Sequence, residues 1–163
     1  MGDLVTQESL GQANAEAPVS GIKALRRTMS VSSEEHVHVE DVTRQIRDVV
    51  RNADVKQGLV VVNSLHTTCA LFVNEFQGAL IGDLLTMLRR LVADKDGYQH
   101  DDPRYSDCER GNASAHLRAA LVGRTVAVGI SDGELSLGRF QSILFAELDG
   151  PRSRDIDIQI LGT

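Results

Sequence analysis

Close to its C-terminus the chain alternates strictly, with Ile156, Ile158 and Ile160 separated by Asp157 and Gln159 and preceded by Asp155. A period of two places the isoleucines on one face of a strand, and such a row needs a covering layer. The rest of the chain can supply it. Residues 23–31 alternate loosely and read as a half-exposed edge strand, whereas 59–62 and 71–73 are continuous apolar runs, the pattern of strands buried on both faces. Residues 125–137 read as a hairpin around Asp132-Gly133, a type I′ turn signal, and 141–148 as a strand with an apolar centre. Three helices are interleaved. Asp41 is set to cap the first, which carries Val42, Ile46, Val49, Val50 and Ala53 at helical spacing. The second, over 79–93, repeats Leu80, Leu84, Leu85, Leu88, Leu91 and Val92. Asn112 is set to cap the third, whose inward stripe is Ala113, Leu117, Ala120 and Leu121, and Gly123 ends it.

Such a chain of 163 residues fits one domain. Residues 1–20 have no sustained period and read as a flexible tail, leaving 21–163 as the domain. Cys69 and Cys108 are too few for a disulfide scaffold, and neither a secretory signal nor a membrane span is legible, so the expectation is a soluble cytoplasmic protein. A net charge of −6 and only 4% aromatic residues argue against a nucleic-acid partner, which would require a basic face and stacking platforms.

Chemistry concentrates in residues 58–75, where the strand pattern delivers His66, Thr67, Thr68, Asn74 and Glu75 at strand ends. His100 falls in an aperiodic loop, 97–111, of a length that is uncommon without a function. His116 borders the inward stripe of the third helix, whose first turn offers free backbone N–H groups to an anion. Three neutral imidazoles of such scattered origin suit a zinc-class metal with one position left open. His36 and His38 share a strand face and read as either a chelating pair or, more simply, a surface strand. Arg152 and Arg154 fall on the isoleucine face, where they build an anion pocket or lay their stems over apolar surface. Gln141 and Glu147 share a face of their strand about 20 Å apart, too far to serve one site in one subunit. No GxxxxGK[ST], GxGxxG or HExxH is present.

The segments HTTCALFVNE, GYQHDD, NASAHLRAALVG and DGELSLGRFQSILFAELDGPRSR together resemble the YjbQ-like family, also described as secondary thiamine-phosphate synthases. The resemblance spans about 22–161. It implies a single-domain α+β fold with a largely antiparallel sheet or sandwich and packed helices, assembled as a homotrimer. The family's motif residues fall here on His66, Thr67, Asn74, Glu75, His100, Asn112, His116, Gln141, Glu147 and Arg152. Role by role, the residue types lead us to expect metal ligation by His66, His100 and His116, catalytic parts for Glu75, His116 and Gln141, and substrate contacts from Thr67, Asn74, Asn112, Glu147, Arg152 and Arg154. In a trimer, Gln141 and Glu147 could each line an intersubunit cleft. The implied reaction joins a pyrimidine pyrophosphate to a thiazole phosphate with loss of pyrophosphate. Magnesium usually serves that chemistry, whereas a histidine cluster prefers zinc or nickel. Two alternatives therefore stand beside it: a metal- or anion-binding homotrimer without synthase activity, and a metal-dependent hydrolase of a small phosphorylated compound.

Overall fold

The computed structural model describes residues 21–163; the expected tail, 1–20, lies outside them. The isoleucine row becomes the centre of β8 (Ser153–Gly162), which pairs along its whole length with β1 (Lys23–Ser32) and on its other side with β3 (Gln57–Ser64). Adding β5 (Thr125–Ser131) and β6 (Glu134–Leu135) gives a five-stranded sheet in the order β1-β8-β3-β5-β6. A second sheet has the order β2-β7-β4, from β2 (His38–Asp41), β4 (Cys69–Asn74) and β7 (Ser142–Glu147). Every pairing is antiparallel. The β5–β6 turn is as expected, with Asp132 at φ 53° and Gly133 at φ 81°.

One core lies between the sheets, where Val60, Val62, Val126, Val128, Ile156, Ile158 and Ile160 meet Cys69, Leu71, Ile143 and Phe145. Helix α1 (Thr43–Asn52) closes this core with Ile46 and Val50. Alternate residues of β4 and β7 point the other way, so Ala70 and Ala146 pack against Ala115 and Ala119 of α3 (Ala113–Val122). This double covering explains why β7 is apolar on both faces.

Three sequence expectations are corrected. Residues 59–62 are covered on one face only: Val60 and Val62 are buried, whereas Leu59 is exposed and stands opposite the exposed Leu161. A continuous apolar run does not say how many layers will cover it. Helix α2 (Gly78–Leu91) forms where its period predicts, yet it buries only Leu88, with Leu80, Leu84 and Leu85 half-buried and Leu91 exposed. The stripe of α3 is rotated, leaving Leu117 and Leu121 exposed and Arg118 inside. Arg118 is accommodated because its guanidinium donates to the Val92 carbonyl and to Asp94, which holds the Asp94 carboxyl below its usual range. The small Ala115 and Ala119 let α3 approach β4 closely.

Neither expected helix cap takes the predicted form. Asp41 ends β2 one residue before the cap position, and from there its Oδ1 accepts the Thr43 N–H at 2.9 Å. Asn112 occupies the cap position of α3 but makes no side-chain cap bond, being engaged elsewhere. Among the described residues no helix is long and apolar enough to cross a membrane.

Candidate functional site

The β3–β4 connection, residues 65–68, bends at the end of the sandwich and is pinned to the start of β8. Leu65 N–H donates to the Asp155 carbonyl at 3.3 Å, and Asp155 N–H donates back to His66 Nε2 at 3.1 Å. With Nε2 accepting, the proton of the neutral imidazole resides on Nδ1, so His66 offers a donor from its other nitrogen.

Opposite this bend, Asp101 of the 3₁₀ turn Gln99–Asp101 accepts the Ala113 N–H at 2.9 Å and so supplies the bond that Asn112 does not make. That contact draws the long loop onto α3 and sets His100 beside His116, their rings edge to face with centroids 5.0 Å apart. Burial, and then the neighbouring His100, hold the His116 imidazole below its ordinary range. Asn112 Nδ2 donates to Asp149 at 2.9 Å, and Arg152 and Arg110 approach the same carboxylate at 3.5 and 3.9 Å.

Beneath lies the strongest charge pair of the site. Arg154 continues the isoleucine row of β8 and Glu147 the inward row of β7, so the two sheets are joined where their apolar core ends. Arg154 Nε donates to Glu147 Oε2 at 2.6 Å and Nη2 to Oε1 at 2.9 Å, with side chains 8% and 0% exposed. Glu147 also accepts the Leu148 and Asp149 N–H groups, and Thr68 Oγ1 accepts a second bond from Arg154 Nη2. The pair raises the Arg154 pKa further, so this guanidinium is permanently charged and fixed in direction. Arg154 Nη1 has no hydrogen-bond partner among the described residues. Burial and the Glu147 carboxylate push the Cys69 thiol up to about 11, which removes it as a nucleophile at neutral pH.

A pocket of about 360 Å³ opens over this pair, lined by His66, Thr67, Thr68, His100, Arg110, Asn112, His116, Asp149 and Arg154 among others. The profile of the family described as UPF0047 protein YjbQ-like matches residues 27–163. The chain belongs to the YjbQ/UPF0047 family. A UPF0047 protein of Archaeoglobus fulgidus is 39% identical over 133 residues, 82% of this chain and 98% of the relative. One from Methanothermobacter thermautotrophicus is 36% identical over 126 residues, 77% of this chain and 84% of the relative. The crystal structure of a YbjQ-like protein of unknown function from Sulfolobus solfataricus P2 matches with a TM-score of 0.81 at 30% identity, covering 88% of this chain and 100% of the other. A hypothetical protein from Aeropyrum pernix K1 gives 0.78 at 32%, covering 85% and 99%. The single α+β domain with its antiparallel sheets and three helices is the YjbQ-like fold.

Within this YjbQ-family chain the expected site residues divide into two groups. His66, Thr67, His100, Asn112, His116 and Arg154 line one pocket, with Arg152 beside it and Glu147 below. Glu147 itself cannot touch a ligand, because it is fully buried and both its oxygens are taken; it positions Arg154. Asn74, Glu75 and Gln141 lie at the far end of β4 and β7, where the register sets Asn74 against Ser142 and Cys69 against Glu147. Five residues of strand put them roughly 17 Å away. There Gln141 Oε1 accepts the Gly138 N–H, Asn74 Oδ1 accepts the Glu75 N–H, and Glu75 faces solvent.

Two charged pocket residues escaped the sequence reading. Asp149 carries a signal, since it follows Glu147 at the two-residue strand spacing, but the Gly-Pro after it reads as a turn. Arg110, inside an aperiodic loop, carries none.

The three histidines do share the pocket, but their arrangement does not fit a three-histidine metal centre within one chain. His66 Nε2 is occupied by the Asp155 N–H, and among the described residues no three His, Cys, Asp or Glu side chains are grouped to hold an ion.

Proposed function

We propose that this pocket binds the oxyanion head of a small phosphorylated compound. The carrying observation is Arg154: a buried guanidinium, aligned by Glu147, with Nη1 left without a partner beside the pocket. Around it Arg110, Arg152 and Arg154 face Glu147 and Asp149, a surplus of one positive charge in a chain whose net charge is −6. His66 Nδ1–H and the hydroxyls of Thr67 and Thr68 add donors, which suits the many acceptors of a phosphoryl group.

As an enzyme, the protein would follow the family resemblance and act as a thiamine-phosphate synthase, using the arginines to stabilise pyrophosphate as it leaves. Glu75 and Gln141 could contribute only from a neighbouring subunit, which is the reason to propose a homotrimer with intersubunit sites. The two free thiols suit the reducing cytoplasm, where we place the protein.

Titration calorimetry with inorganic phosphate tests the reading. Wild type should bind one phosphate per chain, and Arg154→Lys, which keeps the charge but loses the aligned fork, should bind at least about tenfold more weakly with its melting transition intact. No binding by wild type sinks the proposal. One zinc-class ion per chain in elemental analysis, lost in His66→Ala and His116→Ala, would replace it with the metal centre expected from the histidines. Rescue of a thiamine auxotroph by wild type but not by Arg154→Lys would support the synthase reaction.

A further inference from the structure

A second cavity, of about 370 Å³, adjoins the oxyanion pocket, and both are lined by His66, Thr67 and His116. Its character is different. The rest of its lining is Cys69, Ala119, Ala120, Gly123 and Arg124. His116, Ala119, Ala120 and Gly123 recur at steps of three and four residues, so one face of α3 passes from the imidazole to a floor with almost no side chain. Cys69 adds only a neutral thiol. A hollow on the far side of His116, lined by Tyr98, Gln99, His100, Ala113 and Leu117, shares with the oxyanion pocket only His100 and His116, whose rings meet edge to face. The compartment over Ala119 and Ala120 is the one that continues past His66 and Thr67.

From this adjacency we infer that the apolar compartment receives the organic part of the phosphorylated ligand, and that Ala120 sets the size it accepts. The inference rests on the oxyanion reading of the neighbouring pocket and specifies its ligand. The compound is a phosphate monoester whose ester group is compact and uncharged, held between His66 and His116 above the alanine floor. Over Ala119, Ala120 and Gly123 a strongly hydrated organic part would lose water without side-chain hydrogen bonds in return, and Arg124, the one charged side chain in the lining, is itself exposed to solvent. Ala119 is buried against the sheet, whereas Ala120 is exposed and opens on the cavity, so a larger side chain at 120 fills the compartment without disturbing the core.

The experiment compares three probes by calorimetry on the full chain: inorganic phosphate, glycerol phosphate and phenyl phosphate. Wild type should bind phenyl phosphate about tenfold or more tightly than either of the others, the gain expected from burying part of one apolar ring. In Ala120→Leu, and in Ala120→Met as a second variant should the first fail to melt cooperatively, the ratio of phenyl phosphate to phosphate affinity should fall to near one. Equal affinities for the three probes in wild type would overturn the inference while leaving the oxyanion site standing. An unchanged ratio in the variants would overturn the role of Ala120, as would loss of all three probes, which would make it part of the phosphate site. Failure of wild type to bind any probe would remove the oxyanion reading itself.

Discussion

Glu147 and Arg154 show how one buried pair can serve both stability and binding. Removing the carboxylate alone leaves a buried, uncompensated guanidinium, so Glu147→Ala should cost about 3–5 kcal/mol in urea unfolding. Replacing both partners by apolar residues of similar volume, as in Glu147→Leu with Arg154→Met, should recover most of that loss, because neither charge then has to be desolvated. A double variant no more stable than Glu147→Ala would contradict this account. The same double variant should fail to bind phosphate, which separates fold from function at one buried pair. His66, by contrast, was legible as a functional candidate from its place between two apolar runs, but not as a donor. That role depends on the Asp155 N–H, 89 residues away in sequence, meeting Nε2.

At the scale of elements, the register of β3 on β8 rests on two glycines meeting across the ladder, Gly58 opposite Gly162. A Cβ built on Gly58 would collide with the backbone carbonyl of Leu161 and stand 2.8 Å from the Gly162 Cα. Both obstacles are backbone, so neither can rotate away. Gly58→Ala should therefore lower stability by about 1–3 kcal/mol, measured as a reduced urea midpoint with unchanged slope. Gly129→Ala, whose added methyl would meet only the Ser136 side chain at 3.4 Å, is the matched control and should cost less. Periodicity located nearly every strand and helix, and the Asp132-Gly133 turn, because these signals are local. It misassigned which faces are covered in β3, α2 and α3. Leu117 and Leu121 made the stripe that periodicity favours, yet the sheet admits only the smaller Ala115 and Ala119, and Arg118 found partners in Val92 and Asp94.

For the whole molecule, one chain leaves several large apolar side chains exposed. Leu59 and Leu161 pair on the outer face of the five-stranded sheet, and Leu91 and Met87 of α2 are open as well. Exposed apolar side chains that lie together mark association sites. If the proposed homotrimer covers it, sedimentation equilibrium should give three times the chain mass, and Leu59→Asp with Leu91→Asp should shift the protein toward the monomer. A wild-type monomer at micromolar concentration would refute the trimer and with it any contribution of Glu75 and Gln141 to the pocket. By itself the sequence determined the alternation of β8, the apolar centre of β7, the three helices and the candidacy of His66, His116 and Arg154, since each depends on spacing within a few residues. Only the tertiary structure decided that β7 and β8 would join Glu147 to Arg154 at the end of the core, that Asp101 would bring His100 to His116, and that Asn74, Glu75 and Gln141 would be left at the opposite end. Those outcomes depend on strand register and on contacts between residues far apart in the chain, and no local pattern of residues carries that information.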